Sequence, residues 1–319
     1  MLKNISQKLD IFVGEPWRHR SRALFFYRLT QILHARTNGR SSRFFRWLAA
    51  STRPMARLPQ PSFLSGDEIE RIGCQLDELG WAIPAYRLSD QDILSLHSFA
   101  FSTPCYANDS VGDNILLDEH ALRKDHPRFT WRTRDVVRLD AIKRLVSDSG
   151  LHAIAQRYLR CQPLLTSVTL WLTTPYEGRY DAHEYHYDNE NPKFLKFFIY
   201  LTDTNAETGA HYFIQRSHDP VKPRALSRSI RYIDEAVYGI FGRENEKLFA
   251  APAGTIIAED TMGFHKGSTP LRNYRLLLQL EYALIDAPGE ELWCPVIPEP
   301  IIGLAPQIEP IVRKFFARA

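Results

Sequence analysis

From Pro163 onward the chain is a succession of short β-branched and aromatic runs: "LLTSVTLWLTT", "FLKFFIYLTD", "AHYFIQ", "GTIIAED" and "YRLLLQLEYAL". Gly, Asn, Asp and Pro separate them, which marks strands joined by turns and makes the C-terminal half β-rich. The first half follows a different period. In "SGDEIERIGCQLDELGWAIP", Ser65 can cap a helix with an acidic first turn and with Ile69, Ile72, Leu76 and Leu79 at helical spacing. Gly80 ends that helix, and "WAIP" starts a short strand. Further helices are expected from about Ser89 through "DQDILSLHSFAFS", over 133–147 and over 151–159, while 103–132 read as irregular. Helices followed by strands place the chain in the α+β class. Residues 219–250 form a polar, helical-looking insertion between strands. The tail, 286–319, has six prolines and is expected to wrap the surface before a last basic helical turn, "IVRKFFARA".

At 319 residues and 44% hydrophobic content the chain can bury a sizeable core, in one large domain or two small ones. Its four cysteines form no CxxC pair, which argues against a disulfide framework or a structural zinc and for a reducing compartment. No apolar run reaches the roughly 18 residues of a membrane span, and no signal-peptide core is visible, so a cytoplasmic location is expected. Charge is uneven. Residues 1–60 hold twelve Lys/Arg against Asp10 and Glu15, a net +10 that leaves −7 for the rest of a chain of net charge +3. Within this basic segment, "RSRALFFYRLTQILHAR" and "SSRFFRWLAAS" read as amphipathic helices broken at Asn38-Gly39 and closed by Pro54 and Pro59. Two roles compete for it. It packs on the main domain with its arginines solvated, or it attaches the protein peripherally to the anionic inner face of a membrane. Nucleic acid is the weaker partner, because the aromatics alternate with Leu and Ile on helices.

The chemistry-bearing residues gather around "HEYHYDNENPKFLKFFIYLTD". In a strand the spacing of His186 and Asp188 puts both side chains on one face. His265 follows a predicted strand and a Gly-bearing turn, and Arg275 lies ten residues on, on a strand where Arg275, Leu277 and Gln279 share a face. Two histidines and one carboxylate suit Fe(II) and leave coordination positions open. An arginine beside them can clamp a dicarboxylate through charge-assisted hydrogen bonds. Arg272 competes with Arg275 but lies in the Pro-Leu-Arg-Asn turn. His183, at odd spacing from His186, faces the other way in a regular strand; it and Glu184 are candidate substrate contacts. His211 and His218 read as structural.

The pattern "HYD", "IYLTD", "RSH", His265 and Arg275 resembles the Fe(II)- and 2-oxoglutarate-dependent dioxygenases, in their phytanoyl-CoA dioxygenase-like branch, over roughly 65–285. Arg216 departs from it, standing where the family usually has glycine. The resemblance implies a double-stranded β-helix (jelly-roll, cupin-like) core over about 163–285 within a dioxygenase domain of 61–285, flanked by N-terminal helices. It implies iron on His186, Asp188 and His265, with 2-oxoglutarate bound to the metal and to Arg275. Lys196 and Tyr200 share a strand face within "LKFFIYLTD", so either is a candidate to assist at the distal carboxylate. O2 is the oxidant, with ascorbate as an optional accessory. The implied reaction hydroxylates an unactivated C–H and releases succinate and CO2; Asp188 speaks against halogenation. Arg228 and Arg231, with Lys222 and Arg224, suggest a basic lid in the insertion that favours a carboxylate or phosphate substrate. The Kdo 3-hydroxylases, acting on a sugar acid of lipopolysaccharide, are one group with such a lipid-linked substrate. The alternatives are a nucleic-acid demethylase of the same cofactor class and a cupin-like metal-dependent hydrolase. Neither the exact substrate nor the oligomeric state has a pattern in the sequence.

Overall fold

A computed structural model of the chain describes residues 22–107, 114–178, 183–227, 231–286 and 297–319. It begins with a helix pair, α1 (Arg22–Arg36) and α2 (Ser42–Thr52), followed by α3 (Gly66–Leu79) and the short strand β1 (Trp81–Ala82). The expected boundaries of α3 hold. Ser65 Oγ accepts from Glu68 N at 3.2 Å, and Gly80 closes the helix at φ 85. Next come α4 (Asp90–Ser102), β2 (Tyr106–Ala107), β3 (Arg128–Thr130), α5 (Thr133–Val136), α6 (Asp140–Ser147) and α7 (Gly150–Leu159). The region read as irregular thus supplies two short strands, and the helix expected over 133–147 is split in two.

The strands of the second half are β4 (Leu164–Thr173), β5 (Phe194–Tyr200), β6 (Tyr212–Ile214), β7 (Glu246–Leu248), β8 (Ile256–Glu259), β9 (His265–Lys266) and β10 (Arg275–Ala283), with α8 (Asp234–Phe241) before β7. A seven-stranded sheet in the order β1-β8-β5-β10-β4-β3-β2 faces a three-stranded sheet in the order β7-β6-β9. All pairings in both are antiparallel. Strand alternation divides the large sheet's faces. Leu276, Leu278 and Leu280 of β10, like Leu195, Phe197 and Ile199 of β5, join the helices in the main core. Arg275, Leu277 and Gln279, with Lys196 and Phe198, point to the other face and line a cavity.

Two expectations about the flanks need correcting. The insertion is not simply helical: it adds β7 to the small sheet, and Leu226, Tyr232 and Val237 pack with Tyr185 and Phe264 behind the segment that carries His186 and Asp188. The tail is no surface wrap either. Its β11 (Glu299–Ile301), α9 (Glu309–Val312) and β12 (Phe316–Arg318) fold back so that Ile311, Phe315 and Phe316 enter the main core. Its last residues pair as a parallel strand with β11 rather than forming a helical turn. Arg216, where the resemblance led to an expectation of glycine, adopts φ 66, the left-handed conformation that glycine takes without strain.

Candidate metal centre and active site

His186 sits in an isolated bridge with His265 rather than in a regular strand. The two backbones exchange hydrogen bonds, His186 N to His265 O at 2.9 Å and His265 N to His186 O at 2.8 Å. This brings the rings to 4.3 Å between centroids. Asp188 N donates to Thr261 O at 2.8 Å, holding the carboxylate on the same side. One ligand atom from each of His186, Asp188 and His265 lies within 4.8 Å of the others, as a shared ion requires. The tautomers follow from the partners. Each Nδ1 meets a backbone carbonyl, Glu184 O at 2.9 Å for His186 and Gly263 O at 3.0 Å for His265. A carbonyl accepts and cannot donate, so each Nδ1 carries the proton and each Nε2 keeps its lone pair for a metal. Burial, then the neighbouring His265, lowers the His186 pKa to about 3, so its imidazole is neutral at ordinary pH.

Lys196 occupies a place different from the expected one. Its Nζ donates to Asp188 Oδ2 at 2.7 Å and to Glu190 Oε1 at 2.6 Å, with Glu281 Oε2 at 3.6 Å. Burial alone raises the Asp188 pKa; the charge of Lys196, the largest opposing influence, outweighs it and holds the carboxylate ionised. The lysine therefore orients Asp188 and is engaged with carboxylates of the chain itself. Tyr200 stands behind Arg275 rather than on the cavity wall. Its hydroxyl donates to Phe249 O at 3.0 Å, meets His211 Nδ1 at 2.8 Å and accepts from the Arg275 guanidinium, and it is not among the described residues lining the cavity.

The cavity, about 210 Å³, holds the triad, Arg275 and His183 on one continuous wall. Arg275 is 7% exposed. Its guanidinium donates to Gly209 O and, at 3.4 Å, to Thr173 Oγ1, so the strand partner of Arg275 helps to aim it. Arg272 is exposed in an ion pair with Glu207, as its turn position implied. His183 does reach the cavity, because 183–188 is not a regular strand and the odd-spacing argument does not apply. Its Nδ1 lies 2.8 Å from Thr269 Oγ1, and burial, then Arg275, lowers its pKa to about 4.

Other expected residues fall elsewhere. Glu184 serves through its carbonyl, and its side chain is not among those lining the cavity. Arg228 lies outside the described residues. Arg231 exerts its charge on His186 but, like the rest of the described insertion, does not line the cavity. Lys222 is unavailable to an anion: buried, it donates to the carbonyls of Ser217, Asp219 and Met262. Burial pushes its pKa down to about 7. His211, read as structural, lines the cavity, as do Arg128, Trp171 and Lys266. Gln279 and Phe198 were findable by alternation from Arg275 and Lys196; Arg128 sits in a segment with no periodic signal.

No family model matches the sequence, and no curated protein matches it. Solved structures do. SnoN, a non-heme alpha-ketoglutarate-dependent epimerase from nogalamycin biosynthesis, is 14% identical over 70% of this chain and 85% of its own, with a TM-score of 0.49. Its complex with Fe3+, alpha-ketoglutarate and nogalamycin RO matches at 16% identity, with the same coverage and a TM-score of 0.46. EctD from S. alaskensis with bound Fe is 16% identical over 71% of this chain and 81% of its own, with a TM-score of 0.49.

Proposed function

We propose that this chain is an Fe(II)- and 2-oxoglutarate-dependent oxygenase that hydroxylates an anionic small or lipid-linked substrate. One observation carries the reading: two Nε2-presenting histidines and an ionised aspartate share a cavity with a buried arginine. The donor set suits iron(II) and leaves positions open. A hydrolase has no use for the dicarboxylate clamp that Arg275 offers. When bound, iron(II) with 2-oxoglutarate and O2 supplies an oxidant able to cleave an unactivated C–H, with succinate and CO2 as co-products.

The protein's own residues do the positioning. Lys196 keeps Asp188 charged and aimed, while the carbonyls of Glu184 and Gly263 fix both ring tautomers. Arg275 presents a planar fork to the distal carboxylate of 2-oxoglutarate, and Thr173 steadies it. The two facing sheets form the walls of a double-stranded β-helix in this reading. Arg128, stacked 4.4 Å from the Trp171 ring centroid, adds positive charge to the cavity wall, whereas Lys266 is paired with Asp234 at 2.6 Å. Arg128 favours a substrate bearing carboxylate or phosphate, such as a Kdo-type sugar acid.

The test is anaerobic titration of iron(II) protein with 2-oxoglutarate, followed by admission of O2. A visible charge-transfer band and then succinate are expected from the wild type. His186→Ala and Asp188→Ala should lose the band and all turnover while melting within a few degrees of wild type. Arg275→Gln should keep iron but raise the 2-oxoglutarate requirement at least tenfold, since two charge-assisted hydrogen bonds contribute about 1.5–3 kcal/mol each. Full activity in His265→Ala with normal iron content would falsify the assignment.

A further inference from the structure

α2 meets the core through Ser42, Phe45 and Ala49, all buried. At about 100° per residue its opposite side carries Phe44, Trp47 and Leu48, where a helix of a water-soluble domain places polar residues. These three are 51%, 64% and 40% exposed. Leu29 and Leu33, one turn apart on α1 and also exposed, line a groove of about 440 Å³ together with Phe44 and Leu48. On the other flank of α2 a second groove, about 620 Å³, is lined by Arg40, Arg43, Arg46 and Arg160 and reaches Trp47. Asp219 is the one carboxylate among its described lining residues. Arg40, Arg43 and Arg46 form no ion pair among the described residues, and Arg46 Nε is buried without a hydrogen-bond partner. Residues 22–60 hold eight arginines and no Asp or Glu.

Converging guanidinium groups repel one another unless an anion lies between them, so the second groove is built for negative charge. The apolar strip beside it narrows the choice. A free phosphate would leave the strip in water. A second copy on a two-fold axis would set the same arginines against each other. Nucleic acid gains from stacking on Phe44 and Trp47 but nothing from Leu29, Leu33 and Leu48. An anionic bilayer satisfies both halves, with phosphates for the arginines and an interface for the aromatic and aliphatic side chains.

We infer that the α1–α2 face docks on an anionic phospholipid bilayer, its arginine groove taking lipid phosphate while the strip centred on Trp47 enters the interface. This stands apart from the reaction in the cavity, so either conclusion can fail without the other. The test is sedimentation of the full chain with phosphatidylglycerol or phosphatidylcholine vesicles at low and high salt. The expected result is binding to the anionic vesicles alone, weakened by salt and unaffected by inorganic phosphate at the same phosphate concentration. Each arginine near such a surface contributes roughly fivefold, so Arg40→Gln/Arg43→Gln/Arg46→Gln should weaken partitioning on the order of a hundredfold. Phe44→Ser/Trp47→Ser, at exposed positions where folding is unaffected, should also weaken it, with iron binding unchanged in both variants. Four outcomes overturn the inference: recovery in the supernatant under all conditions, equal binding to neutral vesicles, wild-type binding by the serine variant, or displacement by free phosphate. Preference for single-stranded DNA over vesicles of equal phosphate content, or a dimer that the serine variant abolishes, would assign the face to those partners instead.

Discussion

Lys196 is 7% exposed among three carboxylates, Asp188, Glu190 and Glu281, and its ammonium is what holds Asp188 ionised. Removing one member of a buried charge cluster leaves the rest uncompensated, which costs about 3–5 kcal/mol. Lys196→Met is therefore expected to lower the urea midpoint at pH 7. The sign of its pH dependence also follows. Without the lysine the carboxyl pKa values in the fold rise above their unfolded values, so the deficit should shrink as pH falls toward 5. Equal midpoints for variant and wild type at pH 7 would remove Lys196 from this role. That His186, Asp188, His265 and Arg275 come together in one cavity was legible from spacing, because each sits where the chain pattern is local and short. The partners of Lys196 were not legible: alternation gives the face of a strand, not which carboxylate of another segment lies over it. His183 shows the converse error, since a rule for regular strands was applied to a segment that makes only isolated bridges.

A chain of hydrogen bonds runs beside the site from Tyr200 of β5 through His211, which precedes β6, to Glu259 of β8. Tyr200 O–H donates to Phe249 O at 3.0 Å, so it must accept from His211 Nδ1–H at 2.8 Å. His211 Nε2 is then an acceptor, and its 2.8 Å contact with Glu259 Oε2 requires a protonated carboxyl. Burial agrees, raising the Glu259 pKa to about 8. A folded pKa raised above the unfolded value means that stability is fully present below about 4.5, falls between there and 8, and is flat beyond. Glu259→Gln keeps a donor without the proton. In metal-free protein it should match the wild type near pH 5 and exceed it near pH 8 by a few kcal/mol, since each pKa unit corresponds to about 1.4 kcal/mol. Chemical denaturation at the two pH values checks this, and a parallel pH profile for the two proteins would show Glu259 to be ionised in the fold. The network was hidden because its members come from three segments. Long alternating strands such as β4 and β10 were legible, whereas β2 and β3, with two and three residues, are too short to carry a period.

For the whole molecule, the tail decides whether the large sheet has a closed core. Ile301, Leu304, Ile308, Ile311, Val312, Phe315 and Phe316 are all under 8% exposed and belong to the main cluster. Burying seven such side chains is worth about 1.5–3 kcal/mol each, which matches or exceeds the roughly 5–15 kcal/mol net stability of a domain. Their recurrence every three or four residues was a core signal in the sequence, masked by prolines that suggested a surface wrap. The same burial keeps Phe315 and Phe316 away from the surface. A chain ending at residue 296 is expected to accumulate in insoluble form or to show no cooperative melting. Phe316→Ala, which leaves the chain whole, should lose about 3–5 kcal/mol and still bind iron. A truncated protein that melts cooperatively at the wild-type temperature and loads iron normally would mean that the tail is an accessory layer. With α9 of the tail packed against β4 and its apolar residues in the main cluster, that result would require the large sheet to hold its helix-side face together without them.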